Sequence, residues 1–224
     1  MKSMKRVFQG AATVNSILDG NLIEEAAEAG LRSIFVGFES LSQNSLKQSN
    51  KRQNLGRDYE VAIDRLHDLG IMINGSFVFG LDGDSHSVFD RTVDWAVERG
   101  ITTSTFHIAT PYPGTAFYKE MADAGRITTD NWDLFDTRHV TFLPAHMTEQ
   151  ELKDGYDRSY ERFYQWNSIL KSSLFHGSVK HQLKHFCYTS GWKKFEPLWN
   201  LMIQMRKLNL MTPMLEGVLS KVTN

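Results

Sequence analysis

Along the first half of this chain, apolar residues switch repeatedly between a helical and a strand-like period. The run Ile71-Met72-Ile73-Asn74-Gly75-Ser76-Phe77-Val78-Phe79 is nearly continuous in apolar, β-branched and aromatic residues and ends in Gly80-Leu81-Asp82-Gly83-Asp84. A run of that length between glycines predicts a parallel strand covered on both faces. Ligands in parallel α/β folds collect where the carboxyl ends of strands meet their loops, so the turn at Gly80 to Asp84 is the first place to look for a site. Glycines there would let a ligand approach the backbone, and a helix from about Ser85 would aim its N–H groups at the same space. The plainer reading is a βα turn that only needs φ > 0.

Three segments share one plan. Glu28-Ala29-Gly30-Leu31 leads into a strand from Ser33 to Glu39. His67-Asp68-Leu69-Gly70-Ile71 leads into Met72 to Gly80, and Val97-Glu98-Arg99-Gly100-Ile101 into Thr103 to Thr110. Each predicts a helix stopped by glycine, a hydrophobic residue packing back on it, and then a strand. Glycines at 30, 70 and 100 have the spacing of successive βα units. A shorter strand is expected over Arg6 to Thr13, with Gln9 and Thr13 facing inward, and a helix over Asn21 to Glu28. Alternation sets Phe106 and Ile108 against Thr105, His107 and Ala109, and sets Ile73, Phe77 and Phe79 against Asn74, Ser76 and Gly80. An outer face packed on helices and a polar inner face fit a barrel better than an open doubly wound sheet. His107 reads as a hydrogen-bonded core histidine in preference to a catalytic one.

Only about four strands precede Gly125, whereas a closed barrel needs about six to eight. An isolated half-sheet would leave a bare edge of unpaired backbone groups. The expected fold is therefore α/β: the C-terminal portion of a partial (β/α)6 TIM-like barrel with parallel strands, followed by an α-helical C-terminal region. Residues 1–127 would form the half-barrel and 128–224 the helical region, with an N-terminal segment needed to complete the sheet.

The loop Thr110-Pro111-Tyr112-Pro113-Gly114-Thr115 is stiffened by its prolines, and Thr115 is placed to cap a helix from Ala116 to Ala124. Farther on, Thr148 and Glu151 form a capping box. The helix they open carries Leu152, Tyr156, Tyr160, Phe163 and Tyr164 on one stripe, which reads as core packing. Near the C-terminus, Leu198, Leu201, Met202, Met205 and Leu208 would share a helical face, beside Lys193, Lys194, Arg206 and Lys207. That surface suits packing on the barrel, with contact to a partner or a membrane surface as the alternative.

Charge and composition narrow the classes. The 224 residues carry a net charge of −1, which offers no basic footprint for nucleic acid. From Lys171 to Asn224 there are eight Lys or Arg and two acids, a net +6, leaving −7 for the rest and marking two different surfaces. One cysteine, Cys187, excludes an intramolecular disulfide and a cysteine-cluster metal site built by this chain. No apolar run approaches the roughly 20 residues of a membrane span, and no signal-peptide core follows Met1, so a soluble cytoplasmic protein is expected.

Three motifs, Phe35-Val36-Gly37-Phe38-Glu39-Ser40-Leu41-Ser42, Gly75 to Asp84, and Thr110 to Thr115, closely resemble the fourth, fifth and sixth strands of radical S-adenosylmethionine enzymes. The nearest subgroup carries an N-terminal cobalamin-binding domain. Asn131-Trp132-Asp133 and Thr137-Arg138-His139 resemble that subgroup's segment after the barrel, so the likeness covers about Arg6 to Tyr164. It implies a cofactor site for S-adenosylmethionine at Glu39 and Ser40, at Ser76 and Gly80, and along Ile108, Ala109 and Pro111. A carboxylate such as Glu39 suits ribose hydroxyls or an ammonium group.

The resemblance further implies a [4Fe–4S] cluster in the complete family enzyme, cobalamin on an N-terminal domain, and a small-molecule substrate. The departure is large, because the family's cluster cysteines, spaced C-x3-C-x2-C, are absent here and three thiolates are needed. The sequence therefore predicts no catalytic or metal-ligating residue of its own and a chain inactive alone. A non-catalytic binding or assembly module is the alternative. An aldolase-like barrel half is less favoured, since Lys47 and Lys51 fall in a polar, solvated stretch.

Overall fold

The computed structural model of the chain describes residues 6–41 and 56–204. In chain order the elements are β1 (Phe8–Ala12), α1 (Val14–Leu18), α2 (Leu22–Ala29), β2 (Leu31–Glu39), α3 (Gly56–Asp68), β3 (Met72–Phe79), α4 (Val88–Glu98) and β4 (Thr103–Ile108). There follow α5 (Ala116–Asp123), a 3-10 turn (Trp132–Leu134), α6 (Glu149–Phe163), α7 (Trp166–Leu174) and α8 (Val179–Gln204). The four strands form one parallel sheet in the order β1-β2-β3-β4. The chain is thus α/β, as expected.

The repeated units form by the expected mechanism. Gly30, Gly70 and Gly100 take φ of 113°, 65° and 63°. After the second and third helices the next amide, of Ile71 or Ile101, reaches back 3.0 Å to the carbonyl of Leu66 or Ala96. This paired return satisfies the last helical carbonyls and turns the chain into the strand.

The faces of the sheet divide as the alternation predicts. Phe38, Phe77, Phe106 and Phe79 stack in succession with centroid separations of 5.5, 5.9 and 5.5 Å. Trp95 and Phe89 of α4 and Tyr160 and Phe163 of α6 meet this stack edge-on or tilted. On the other face Phe35, Asn74, Thr105 and His107 are only half-buried.

Side chains on both sides of residue 127 share one apolar cluster. Met147, Leu152, Tyr156 and Phe163 pack with Phe77, Phe106 and Phe89. The helix stripe read as core is core, and Thr148 and Glu151 make the capping box. Thr115 caps α5 by accepting from the Tyr118 amide.

The stripe also seals an edge. The Tyr164 hydroxyl donates to Ser104 O (3.0 Å) and accepts from Ser104 N (3.1 Å). Tyr160 does the same at Phe106, at 3.2 and 3.1 Å, and the Ile108 amide donates to Thr137 O at 2.8 Å. Backbone groups that a missing neighbour strand would pair are thereby satisfied along β4.

Three expectations are corrected. Gln9, though exposed, is in register with Ser33 on the face of Phe35 and Asn74, but Thr13 does not face inward: it is the exposed N-cap of α1, in a reciprocal capping box with Ser16. That short helix, absent from the sequence reading, is held by Val14 and Ile17, both fully buried. The helix after β3 starts at Val88 instead of Ser85, because Ser85 O takes the Val88 amide (2.9 Å) in a turn that precedes it. Lys47, Lys51 and the apolar stripe from Leu198 to Leu208 lie outside the described residues or side chains. No helix among the described residues is long and apolar enough to cross a membrane.

Candidate functional site

The residues singled out by the sequence gather at the carboxyl ends of β2, β3 and β4. Gly37, Ser76 and Thr105 lie in register across the three strands, and a bulge after Gly37 sets Glu39 opposite Phe77. Ser40 and Ser76 are buried at 2% and 7% exposure. Farther along β4, Ile108, Ala109 and Pro111 are buried too, and the Ala109 amide donates 2.8 Å to Phe79 O.

Glu39 has φ of 62°. For a residue with a long side chain this left-handed conformation costs about 1–2 kcal/mol, and strain of this kind clusters at functional sites. Its neighbourhood holds it there. Tyr59, wholly buried, donates to Phe38 O and pins the end of β2. Burial pushes the Tyr59 phenol far up, and the Glu39 carboxylate pushes it further. A side chain at Gly37 would begin 3.1 Å from Glu39 Oε1, so glycine leaves room for the carboxylate.

Thr137 is the other non-glycine residue with positive φ (66°) among the described residues. Its carbonyl accepts from Ile108, and its hydroxyl lies 3.1 Å from His107 Nδ1. Both left-handed residues thus bear on one imidazole: Thr137 by this hydrogen bond and Glu39 by charge. Burial lowers the His107 pKa, the Glu39 carboxylate opposes that, and the nearby Arg138 adds to it. Hydrogen-bonded and half-buried, His107 keeps the structural role read from the sequence. Neither Thr137 nor Tyr59 carried a local signal, because each acts through contacts distant in sequence.

The turn after β3 departs from its expected role. Asp84, 2% exposed, accepts from the Gly80 and Leu81 amides with one oxygen, both at 3.0 Å. The glycine backbone that a ligand was expected to approach is thus turned onto Asp84. Gly80 has φ of 91°, and a Cβ there would meet Leu152 at 2.7 Å, so its open side is taken by α6. Asp82 pairs with Arg126 through two 2.6 Å hydrogen bonds. The turn is a self-contained clamp on the segment after the sheet.

Polar capacity remains on the half-buried face. Asn74 Oδ1 and Thr105 Oγ1 are buried without a hydrogen-bond partner. Buried polar atoms left unpaired are rare and point to a partner supplied from outside the chain. Their free hydrogen-bonding capacity, like the Glu39 carboxylate farther along β2, suits a polar ligand bearing hydroxyl or ammonium groups. The donor set does not suit a metal: among the described residues no three His, Cys, Asp or Glu side chains are placed to hold one, and Cys187 is exposed on α8.

A four-stranded parallel β/α sheet with a strained carboxylate at its ligand-binding end defines a class, and known proteins define it further. No protein-family profile matches the chain. It is 33% identical to the bacteriochlorophyllide d C-12(1)-methyltransferase of Chlorobaculum tepidum, over 71% of this chain and 34% of that protein. With the C-8(2)-methyltransferase of the same organism the identity is 27%, over 78% and 39%. With the anaerobic magnesium-protoporphyrin IX monomethyl ester cyclase of Cereibacter sphaeroides it is 28%, over 70% and 24%. The chain spans between a quarter and two fifths of these relatives. Among solved structures, the radical S-adenosylmethionine methyltransferase TsrM from Kitasatospora setae aligns at 18% identity and a TM-score of 0.46, over 67% of this chain and 29% of that one. These likenesses agree with the radical S-adenosylmethionine resemblance carried by the three sequence motifs.

Proposed function

We propose that this chain is the substrate- and cofactor-facing wall of a radical S-adenosylmethionine enzyme of the methyl-transferring kind, and that it works only when completed by another segment. Residues 1–127 are the C-terminal half of its partial (β/α)6 barrel, and 128–224 its helical region. The observation that carries this reading is Glu39 held left-handed at the carboxyl end of β2, with Asn74 Oδ1 and Thr105 Oγ1 buried and unpartnered deeper along the same sheet. S-adenosylmethionine would lie against Glu39, Ser40, Ser76, Ile108, Ala109 and Pro111. When bound, it supplies the methyl group or the radical-forming adenosyl group. The carboxylate accepts hydrogen bonds from its hydroxyl or ammonium groups, and the buried ends of β3 and β4 keep water off that side. Gly80 shapes this wall by admitting Leu152.

A [4Fe–4S] cluster does not fit these residues, since three thiolates are needed and the chain has Cys187 alone. Cluster and cobalamin both belong to the completing N-terminal segment. The two edges of the sheet support its placement. β4 is sealed by Tyr160, Tyr164 and Thr137. β1 is the other edge, with Gln9 and Ala11 exposed, and offers its backbone to an added strand. The substrate is a small molecule, and the named relatives favour a tetrapyrrole.

In the enzyme completed by a cluster-bearing segment, Glu39→Ala should weaken S-adenosylmethionine binding at least tenfold in equilibrium dialysis. Glu39→Gln, which keeps the shape and removes the charge, should fall between. Unchanged affinity in both would remove the end of β2 from the cofactor site.

A further inference from the structure

At the opposite, amino-terminal end of the sheet, α7 and α8 are joined to α3 through a row of imidazoles. His185 is 2% exposed. Its Nε2 lies 3.0 Å from Ser172 Oγ, and Ser172 donates its hydroxyl proton to Ile101 O at 3.2 Å. Since that proton is committed, His185 Nε2 carries the hydrogen and Ser172 accepts. His185 Nδ1 is 2.9 Å from His176 Nε2 and so receives the His176 N–H. The His67 ring of α3 stands edge-on to His176 at 4.8 Å and also touches Phe175 at 5.2 Å. Both His67 ring nitrogens are buried without a well-formed hydrogen bond, although the Gly100 carbonyl is near enough to act on the ring.

We propose that His67, His176 and His185 form a neutral-only latch that fastens α7 and α8 to the amino-terminal end of the sheet and opens in acid. A proton on His185 Nδ1 would set two N–H donors against each other across the shortest contact. A proton on His67 would place a charge in a buried position between two apolar or imidazole rings, and the Gly100 carbonyl offsets that only in part.

The groups around the latch do little to offset that charge. Asp64 and Asp68 of α3 line a cavity of about 530 Å³ beside His67, His176 and His181, but both acids are solvent-exposed. One cation, the half-buried Lys184, lies closer in and acts on His176. Lys184 of α8 donates to Gly70 O at 3.3 Å, with Arg32 of β2 and Lys180 acting on it electrically. The His181 ring is 6.4 Å from His176. Burial first, and mutual repulsion second, hold His67 down to about 4 and His185 down to about 3, with His176 lowered as well. Folded values below the ordinary 6.5 make the latch complete above that pH and progressively lost below it. Thr189, donating to Thr102 O at 2.7 Å, and Lys193, donating to Tyr164 O, do not share this dependence, so the opening is local.

Hydrogen exchange on the full chain at pH 7.5 and 5.0, corrected for intrinsic rates, tests this. Amides from 172 to 189 should lose at least tenfold in protection at pH 5.0, while amides of β3 keep theirs. His67→Gln removes a titrating ring, and it should shrink the acid response severalfold. His185→Gln should shrink it further, with His67→Gln sufficient if that variant does not fold. Equal protection at the two pH values, joint loss in α8 and β3, or an unchanged response in His67→Gln would overturn the latch.

Discussion

Replacing Tyr164 by Phe should cost the fold about 2–3 kcal/mol in urea denaturation, far more than removal of one exposed hydroxyl. The ring stays, so the apolar packing against Phe163 at 4.9 Å is kept. What disappears is the partner of both backbone groups of Ser104, a residue 1% exposed. A buried donor or acceptor left unsatisfied costs about 1–3 kcal/mol, and here there are two. Tyr160→Phe should cost less, about 1 kcal/mol, because Tyr160 is half-buried and water can replace its hydroxyl at Phe106. A loss under about 0.5 kcal/mol in Tyr164→Phe would mean that the edge of β4 is not held by this hydroxyl.

Gly155→Val should be the more damaging change, at about 3 kcal/mol or more. Gly155 lies on α6 where a Cβ would meet three Phe89 ring atoms at 2.4–2.6 Å. The Phe89 ring cannot swing clear, being 2% exposed and set edge-on to Phe79 at 4.9 Å. Helix propensity alone would favour losing a glycine by up to about 1 kcal/mol, so the sign of the measured effect separates packing from propensity. A double mutant with Phe89→Leu should recover part of the loss, because the clash is between these two residues. Simple additivity of the two losses would contradict the close approach of α4 and α6.

These contacts also explain what could be read from the chain and what could not. The βα units were legible because a helix stop followed by an apolar strand is written within a dozen residues, as at Val97 to Ile108. The caps at Thr115 and Thr148 were legible for the same reason. The tyrosine stripe of α6 announced burial, yet its periodicity carries no sign that two hydroxyls seal a strand some 55 residues earlier. Likewise His67 and His185 meet only after the fold brings α3 and α8 together. The turn at Gly80 was placed correctly, but its glycine serves Leu152 and its amides serve Asp84. Here the modest reading of a βα turn outweighs the ligand-facing one. The strain at Glu39 and Thr137 is invisible in sequence, because neither residue type favours a left-handed backbone.

The picture that results is of a sheet with unequal ends and unequal edges. One end carries the strained carboxylate, with unpaired polar atoms deeper on the same sheet, and the other carries the histidine row. One edge is sealed by side chains of the same chain, and the other, β1, has no neighbouring strand among the described residues. In the proposed reading, the resemblance to radical S-adenosylmethionine enzymes gives the first end its chemical meaning, and the single cysteine leaves the cluster to another segment.

The central claim, that this chain supplies a cofactor wall and another segment supplies the cluster, is tested by anaerobic reconstitution with iron, sulfide and a strong reductant. The 224-residue chain alone should show no [4Fe–4S] absorbance and no cleavage of S-adenosylmethionine to 5′-deoxyadenosine. Both should appear when a segment bearing the C-x3-C-x2-C loop is added. Cluster absorbance and cleavage by the chain alone would contradict the account.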